Sequence, residues 1–302
     1  MLPDGVIVFE RGWLSANNVL LTGNGPATLI DSGYCSHSGQ TLSLVRNALG
    51  KRPLERLVNT HLHSDHCGGN SLLQSSFPGL ETFIPPGHAE EVLHWDEVAL
   101  TYAPTGQSCP QFLFDRTLVP GSEQELGGMM WEVHAAPGHD PHSVVLFSPQ
   151  EGILISGDAL WENGFGVVFP ELEGIHAFDA VGATLDLIEC LAPKVVIPGH
   201  GPVFTNLSGS LGIARKRLDG FIHSPAKHGR YAAKVLLKFK LLELQEVSRQ
   251  ALCAWATDVT YFGLLHGRYG NDQSLREWLD GLIAELVGTG SLRVDGKRLV
   301  NC

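Results

Sequence analysis

The stretch ERLVNT at residues 55–60 reads as a short strand, and it runs straight into HLHSDHCGG. His61, His63, Asp65 and His66 therefore occupy six consecutive positions at a strand end. Neutral imidazole and carboxylate together are the ligand set of zinc and of other borderline divalent ions. A solvated polar loop accounts well for one histidine and badly for H-x-H-x-D-H. With the strand ending at Thr60, the cluster is expected on a loop, where His61 and His63 point to one side while Asp65 and His66 reach past them. That supplies up to four ligands, enough for parts of two adjacent metal sites.

The same device recurs further along. His139 in APGHD, Asp158 in ISGDAL and His200 in IPGHG each follow an apolar, strand-like run and stand beside glycine. Glycine lets the backbone turn tightly and delivers the next side chain at the strand's end. Four strand ends, each carrying a ligand, imply one site assembled at one edge of a sheet. Between them lie helix-like segments: GQTLSLVRNALG (39–50) has Leu42, Val45 and Leu49 at helical spacing, and AFDAVGATLDLIECLA (177–192) is a second helix. Strands alternating with helices predict an α/β layered architecture. From about Trp95 to Pro120 the pattern dissolves into polar and Pro/Gly-containing sequence, expected to be an inserted surface segment.

Read in order, LIDSG, HLHSDH, PGHD, SGDA and PGHG resemble the five motifs of the metallo-β-lactamase superfamily, over roughly residues 1–205. The resemblance implies an αββα sandwich with a dinuclear site. One metal would take His61, His63 and His139, the other Asp65, His66 and His200, and Asp158 would bridge them. Asp31 corresponds to a position that usually supports the site without ligating. Two divalent ions, zinc first and manganese or iron as alternatives, would be the cofactors. Two cations ~3.5–4 Å apart share a water and lower its pKa towards ~7, so the implied reaction is hydrolysis by a bridging hydroxide, with Asp65 and Asp158 as the catalytic carboxylates.

Which bond is broken is less constrained. The motif set resembles the glyoxalase-II-like, lactonase and nuclease branches, and a thiolate leaves readily because its pKa is near ~8.5. A small ester or thioester is the expected substrate, with RNA phosphodiester hydrolysis as the runner-up and a mononuclear-iron dioxygenase behind it. In GHDPHS, Asp140 replaces the usual hydroxyl residue and His142 becomes a candidate substrate contact. Cys67, beside His66, is expected to be a buried small residue rather than a ligand.

The texture changes after NLSGSLG (206–212), so the catalytic domain is expected to span 1–212 and a helical domain 213–302. SLREWLDGLIAEL (274–286) is an amphipathic helix, and SLRVDGKRLV (291–300) reads as a hairpin turning at Asp295–Gly296. Helices followed by a two-stranded ribbon resemble a small winged-helix unit, expected to cover the site, shape its pocket and serve as a homodimer contact. Its basic run, including Arg215, Arg217, Arg230, Lys234, Lys238 and Lys240, reads either as solvated helix faces or as a wall that grips an anionic substrate, which makes Arg230 and Lys234 candidate substrate contacts.

DNA binding is not expected, since the candidate recognition helix carries one Arg against Glu277, Asp280 and Glu285, and RNA is disfavoured by a net charge of −11. Six cysteines without a C-x-x-C pair argue against a thiolate metal site and a disulfide framework. No apolar run approaches the ~20 residues of a membrane span, and a cytoplasmic home is the expectation.

Overall fold

The computed structural model describes residues 2–270 and 272–302. Two sheets face each other. The first runs, in spatial order, through Val6–Phe9, Asn18–Leu21, Thr28–Ile30, Arg56–Val58, Glu81–Ile84 and Arg116–Thr117. The second runs through Val195–Pro198, Ile153–Gly157, Val144–Ser148, Met129–Ala135 and Glu123–Leu126.

Period-two alternation makes four layers out of these strands. Val19, Leu21, Ile30 and Val58 from one sheet meet Val144, Leu146, Ile153, Ile155 and Ile197 from the other. Their neighbours Leu20, Leu29 and Leu57 turn outward onto Val45 and Leu49 of the helix Ser38–Leu49 and Leu73 of the helix Asn70–Ser76. On the far side Val145, Phe147, Leu154 and Val196 pack on Val181, Leu185 and Ile188 of the helix Phe178–Leu191. Strands covered on both faces read as continuous apolar runs, which is why VVLFS and ILISG show no alternation in sequence. The architecture is the expected αββα sandwich.

Three points differ from the sequence reading. The expected boundary at residue 212 falls inside the helix Leu207–His223, whose Leu211, Ala214, Leu218 and Phe221 belong to the sandwich's outer core. The helix therefore packs with the first unit, and the chain turns away only at Ser224. The segment before Pro120 is not a surface insertion: Leu100, Tyr102, Cys109 and Phe112 are buried against Leu62 and Cys67, directly under the histidine cluster. The C-terminal hairpin pairs Asp295 with Arg298, so its two turn residues are Gly296 and Lys297.

The C-terminal region is helical, as expected. The helices Pro225–Leu244, Arg249–Asp258, Thr260–Tyr269 and Leu275–Gly288 enclose a core of Ala233, Leu237, Leu252, Phe262, Trp278 and Leu282. The last of them starts on a capping box, in which Ser274 and Glu277 each accept the other's backbone N–H. The strand Glu246–Ser248 and the hairpin strands Leu292–Asp295 and Arg298–Asn301 close the core from below, with Arg298–Asn301 in the middle. Among the described residues no helix is long and apolar enough to cross a membrane.

Leu185 and Leu237 are both fully buried, one in each core. Leu185→Ala and Leu237→Ala should each lower stability by about 2–5 kcal/mol, read as a shift of the urea midpoint at unchanged slope.

Candidate metal centre

Strand direction explains why the ligands meet. Thr28–Ile30, Arg56–Val58 and Glu81–Ile84 are parallel neighbours, and so are Ile153–Gly157 and Val195–Pro198. Met129–Ala135 runs the same way as Ile153–Gly157, because both are antiparallel to the strand between them. The carboxyl ends of these strands all open at one edge, where Asp31, His61, His139, Asp158 and His200 follow in turn.

The histidine stretch is held from below by Asp31. This residue takes the left-handed backbone conformation, with φ of 57°, unusual for anything but glycine. Its Oδ1 accepts the Thr60 N–H at 2.9 Å, its Oδ2 accepts the Thr60 hydroxyl at 2.8 Å, and Oδ2 lies 2.7 Å from His66 Nδ1. The cluster is not the loop expected from sequence. Ser64–Cys67 forms one helical turn carrying Asp65 and His66. That turn docks closely enough that a Cβ on Gly68 would stand 2.6 Å from Cys35 N, and one on Gly69 2.6 Å from Ser32 O, so the glycine pair is sterically required.

Around this support the seven expected ligands converge. Ligand atoms of His61, His63 and His139 lie within 4.8 Å of one another, as do those of Asp65, His66 and His200, and those of His61, His66 and Asp158. The first two groups are those implied by the motifs. Asp158 stands between them: Oδ1 is 3.4 Å from His66 Nε2, and Oδ2 is 3.4 Å from His139 Nε2 and 3.8 Å from His200 Nε2. His63 Nδ1 faces His139 Nε2 at 2.7 Å, and His200 Nε2 faces Asp65 Oδ2 at 3.1 Å.

The electrostatics divide the imidazoles. Burial pushes His61 well below the ordinary histidine range, and burial with the neighbouring His139 brings His63 down to about 4. His66 goes the other way: burial would lower it, but Asp31, Asp158 and Asp65 together hold it well above. For Asp158 burial is outweighed by His200, His66 and His139, which keep the carboxylate ionised. Such a cluster is incomplete by itself. His61 Nε2, His66 Nε2 and His200 Nδ1 are buried without a hydrogen-bond partner among the described residues. Buried polar atoms are normally satisfied, and an imidazole nitrogen left unpartnered beside ionised carboxylates, as at His61 and His66, is a ready ligand for a divalent cation in place of a proton. The residues fit two such ions.

A family model for the Metallo-beta-lactamase superfamily matches residues 11–200. The chain belongs to this superfamily. It is 32% identical over 162 residues to a hydroxyacylglutathione hydrolase of Anaeromyxobacter dehalogenans, an alignment that covers 53% of this chain and about half, 52%, of that enzyme. A beta-lactamase domain protein from Burkholderia ambifaria shares the fold at a TM-score of 0.61 and 22% identity, over 89% of this chain and 88% of that one. The protein TTHA1623, solved in a di-iron-bound form, is 27% identical with a TM-score of 0.54, over 69% of this chain and 96% of its own. The metallo-β-lactamase fold thus accounts for the first two-thirds of the chain, and the Burkholderia likeness extends into the C-terminal helices.

The three expected substrate contacts do not line the cavity over the cluster, although Lys234 lines the neighbouring groove. His142 is exposed and stacks edge-on against His88, with ring centroids 4.5 Å apart, outside the cavity over the cluster. Arg230 and Lys234 both pair with Glu285, because their helix packs on Leu275–Gly288. Most of the remaining basic run is also engaged: Arg215 with Asp186 and Glu189, Arg217 with backbone carbonyls, Lys238 with the chain end and Lys240 with Glu243. These charges do not form a free anion-gripping wall. Cys67 is buried beside Tyr102 and Cys109, as expected.

Sequence reasoning missed three residues that touch or brace the centre. Trp13 lies parallel to the His200 ring at 5.3 Å, and Trp161 donates its indole N–H to Asp158 Oδ1 at 3.1 Å. His228, on the helix Pro225–Leu244, accepts the Val168 N–H on Nε2 at 3.1 Å. The adjacent Val167 carbonyl accepts from His139 Nδ1 at 2.5 Å, which directs Nε2 of that ring into the cluster. Burial brings His228 down to about 4, so it stays a neutral acceptor. Only Trp161, three positions past Asp158, left any signal in the sequence.

Removing the Asp31 carboxylate frees Thr60 and His66 together. Asp31→Ala should weaken metal retention about 10- to 100-fold, measured by competition with a chromogenic chelator. His228→Leu should loosen the 167–168 segment and weaken retention by a similar order, while His228→Gln, which keeps an acceptor, should recover most of the loss.

Proposed function

We propose that this metallo-hydrolase cleaves a small ester or thioester with two divalent ions, one held by His61, His63 and His139, the other by Asp65, His66 and His200, with Asp158 shared. The observation that carries the reading is the pair of ligand groups meeting at Asp158 around buried, unpartnered ring nitrogens. When bound, such ions act as Lewis acids towards a carbonyl oxygen and make water a stronger nucleophile at neutral pH. Zinc suits the nitrogen and oxygen donors, and the di-iron form of TTHA1623 makes iron the second choice.

The chain's own residues do the rest. Trp161 fixes one oxygen of Asp158, leaving the other turned to His139 and His200. Trp13 and Phe169 line the cavity over the cluster and limit water around the reacting carbonyl. Apart from the proposed ligands, the polar side chains lining that cavity are Thr101, Thr105, Gln107 and Tyr231. None is an effective proton donor near neutral pH, and burial raises the Tyr231 hydroxyl further. The site therefore favours a leaving group that departs without being protonated, and a thiolate does so far better than an amine. The likeness to a hydroxyacylglutathione hydrolase, whose name denotes an acyl thioester of glutathione, points the same way.

RNA is the weaker alternative, because the basic run that would hold it is engaged in pairs. A short strand among helices followed by a hairpin supports a winged-helix-like reading of residues 225–302, as a cover for the site.

Elemental analysis of protein purified without chelator should find about two ions per chain, zinc or iron, and clearly fewer in Asp158→Ala. The same variant should lose about 100-fold or more in kcat/KM on a thioester panel. One iron per chain, unchanged in the variant and coupled to oxygen consumption, would overturn the hydrolase reading.

A further inference from the structure

The helix Pro225–Leu244 is apolar on two faces. Ala232, Ala233, Leu236, Leu237 and Leu241 fill the C-terminal core. A second stripe, Tyr231, Val235, Phe239 and Leu242, recurs at helical spacing and is only half-buried. It spans about 16 Å along the helix axis. Its first three members, with Trp13, line the small cavity of about 100 Å³ over the metal cluster. The same four residues also line a larger groove of about 420 Å³ that continues along the helix past Leu242 to Leu286. The two spaces share one wall, so the groove leads away from the ligands.

Among the described residues the groove has no unpaired charge. Lys234 Nζ lies 3.0 Å from Glu285, and Lys238 Nζ donates to the Ser291 and Cys302 carbonyls at 2.6 and 2.9 Å. Both lysines lend their methylene stems to the walls while their heads are satisfied outside. An apolar ligand arm would displace water there without stripping any group of its partner. A different opening beside His200 is walled by Trp161, Pro202 and Tyr231, with Glu162 and Asn163 among them.

From this geometry we infer that the groove along Val235, Phe239 and Leu242 is an acyl-chain subsite, and that the substrates are thioesters or esters of apolar, extended carboxylic acids. The inference rests on the hydrolase reading for the bond that is cleaved, but the groove itself binds whether or not that bond breaks. The acyl chain would lie along the helix stripe, with its carbonyl at the cluster.

The test uses the metal-loaded full chain and N-acetylcysteamine thioesters from acetyl to decanoyl. kcat/KM should rise by about two- to fourfold per methylene until the groove is filled. Leu242→Gln and, independently, Val235→Thr should cut the decanoyl-to-acetyl ratio by about tenfold. A non-hydrolysable decyl thioether of N-acetylcysteamine should bind, read by Trp13 fluorescence, more tightly than its ethyl homologue, and this difference should shrink in both variants. Hydrolysis with no chain-length dependence, or a dependence untouched by both variants, overturns the subsite and leaves the hydrolase reading standing. Length-dependent thioether binding without hydrolysis of any thioester supports the subsite and removes the hydrolase reading. A length dependence that follows the thiol instead of the acyl group overturns the assignment of the groove to the acyl chain.

Discussion

The hydrogen bonds of one buried carboxylate, that of Asp31, hold the ligand edge together. They link the end of the strand Thr28–Ile30 to the end of its parallel neighbour Arg56–Val58 through both donors of Thr60 and the ring of His66. The residue makes these three polar contacts from a left-handed backbone, a conformation that costs a non-glycine residue some strain. The charge matters as much as the geometry. Asp31 acts with Asp158 and Asp65 to keep His66 above its ordinary range, against burial. Three carboxylates and five imidazoles cannot all neutralise one another inside a protein, and the unpartnered nitrogens of His61 and His66 mark where they fail to. Cations complete that balance, which is why metal binding and the integrity of this edge are the same problem.

Much of this was legible in the chain. The strands that lead to the cluster are short apolar runs, and three of them end in a histidine or aspartate preceded by glycine, while the fourth ends in the H-x-H-x-D-H run, so both the layered fold and the seven converging residues could be read from residue type and position. What was illegible has physical causes. Asn18–Leu21 is buried on both faces and Val6–Phe9 is a half-covered edge strand, so neither alternates enough to stand out. The single turn Ser64–Cys67 is too short to show helical periodicity and is held by docking of the glycine pair. The segment from Trp95 to Pro120 looks polar on average, yet Leu100, Tyr102 and Phe112 are buried under the cluster because single well-placed apolar residues suffice to pin an irregular loop.

The bracing residues were hidden for a different reason. Trp13 is more than half exposed and stacks on a ring nearly two hundred positions away, a contact without local signature. His228 sits in a basic, helical stretch where a histidine looks like one more solvated residue. Its role exists only because Val168 meets it across the interface between the sandwich and the C-terminal helices. The basic run was misleading in the same way: its charges look free in sequence, and the fold pairs most of them with acids or carbonyls contributed by other elements.

The C-terminal region is therefore part of the site rather than an appendage to it. Its helix Pro225–Leu244 braces the turn that orients His139, through His228, and supplies a wall of the cavity through Tyr231, Val235 and Phe239. These functions share one face of the helix, at i, i+3, i+7 and i+11 spacing, while the opposite face, lined by Ala233, Leu237 and Leu241, holds the helix in its own core. A helix used this way must be apolar over more of its circumference than stability requires, and the excess is the stripe left half-buried beside the cluster. The strand ends that carry the ligands are closely packed: a Cβ on Gly199, one residue before His200, would already collide with Asp158. The clustered side chains are thus held by the tightly packed edge of the sandwich, and the space over them is walled by the helix laid across it.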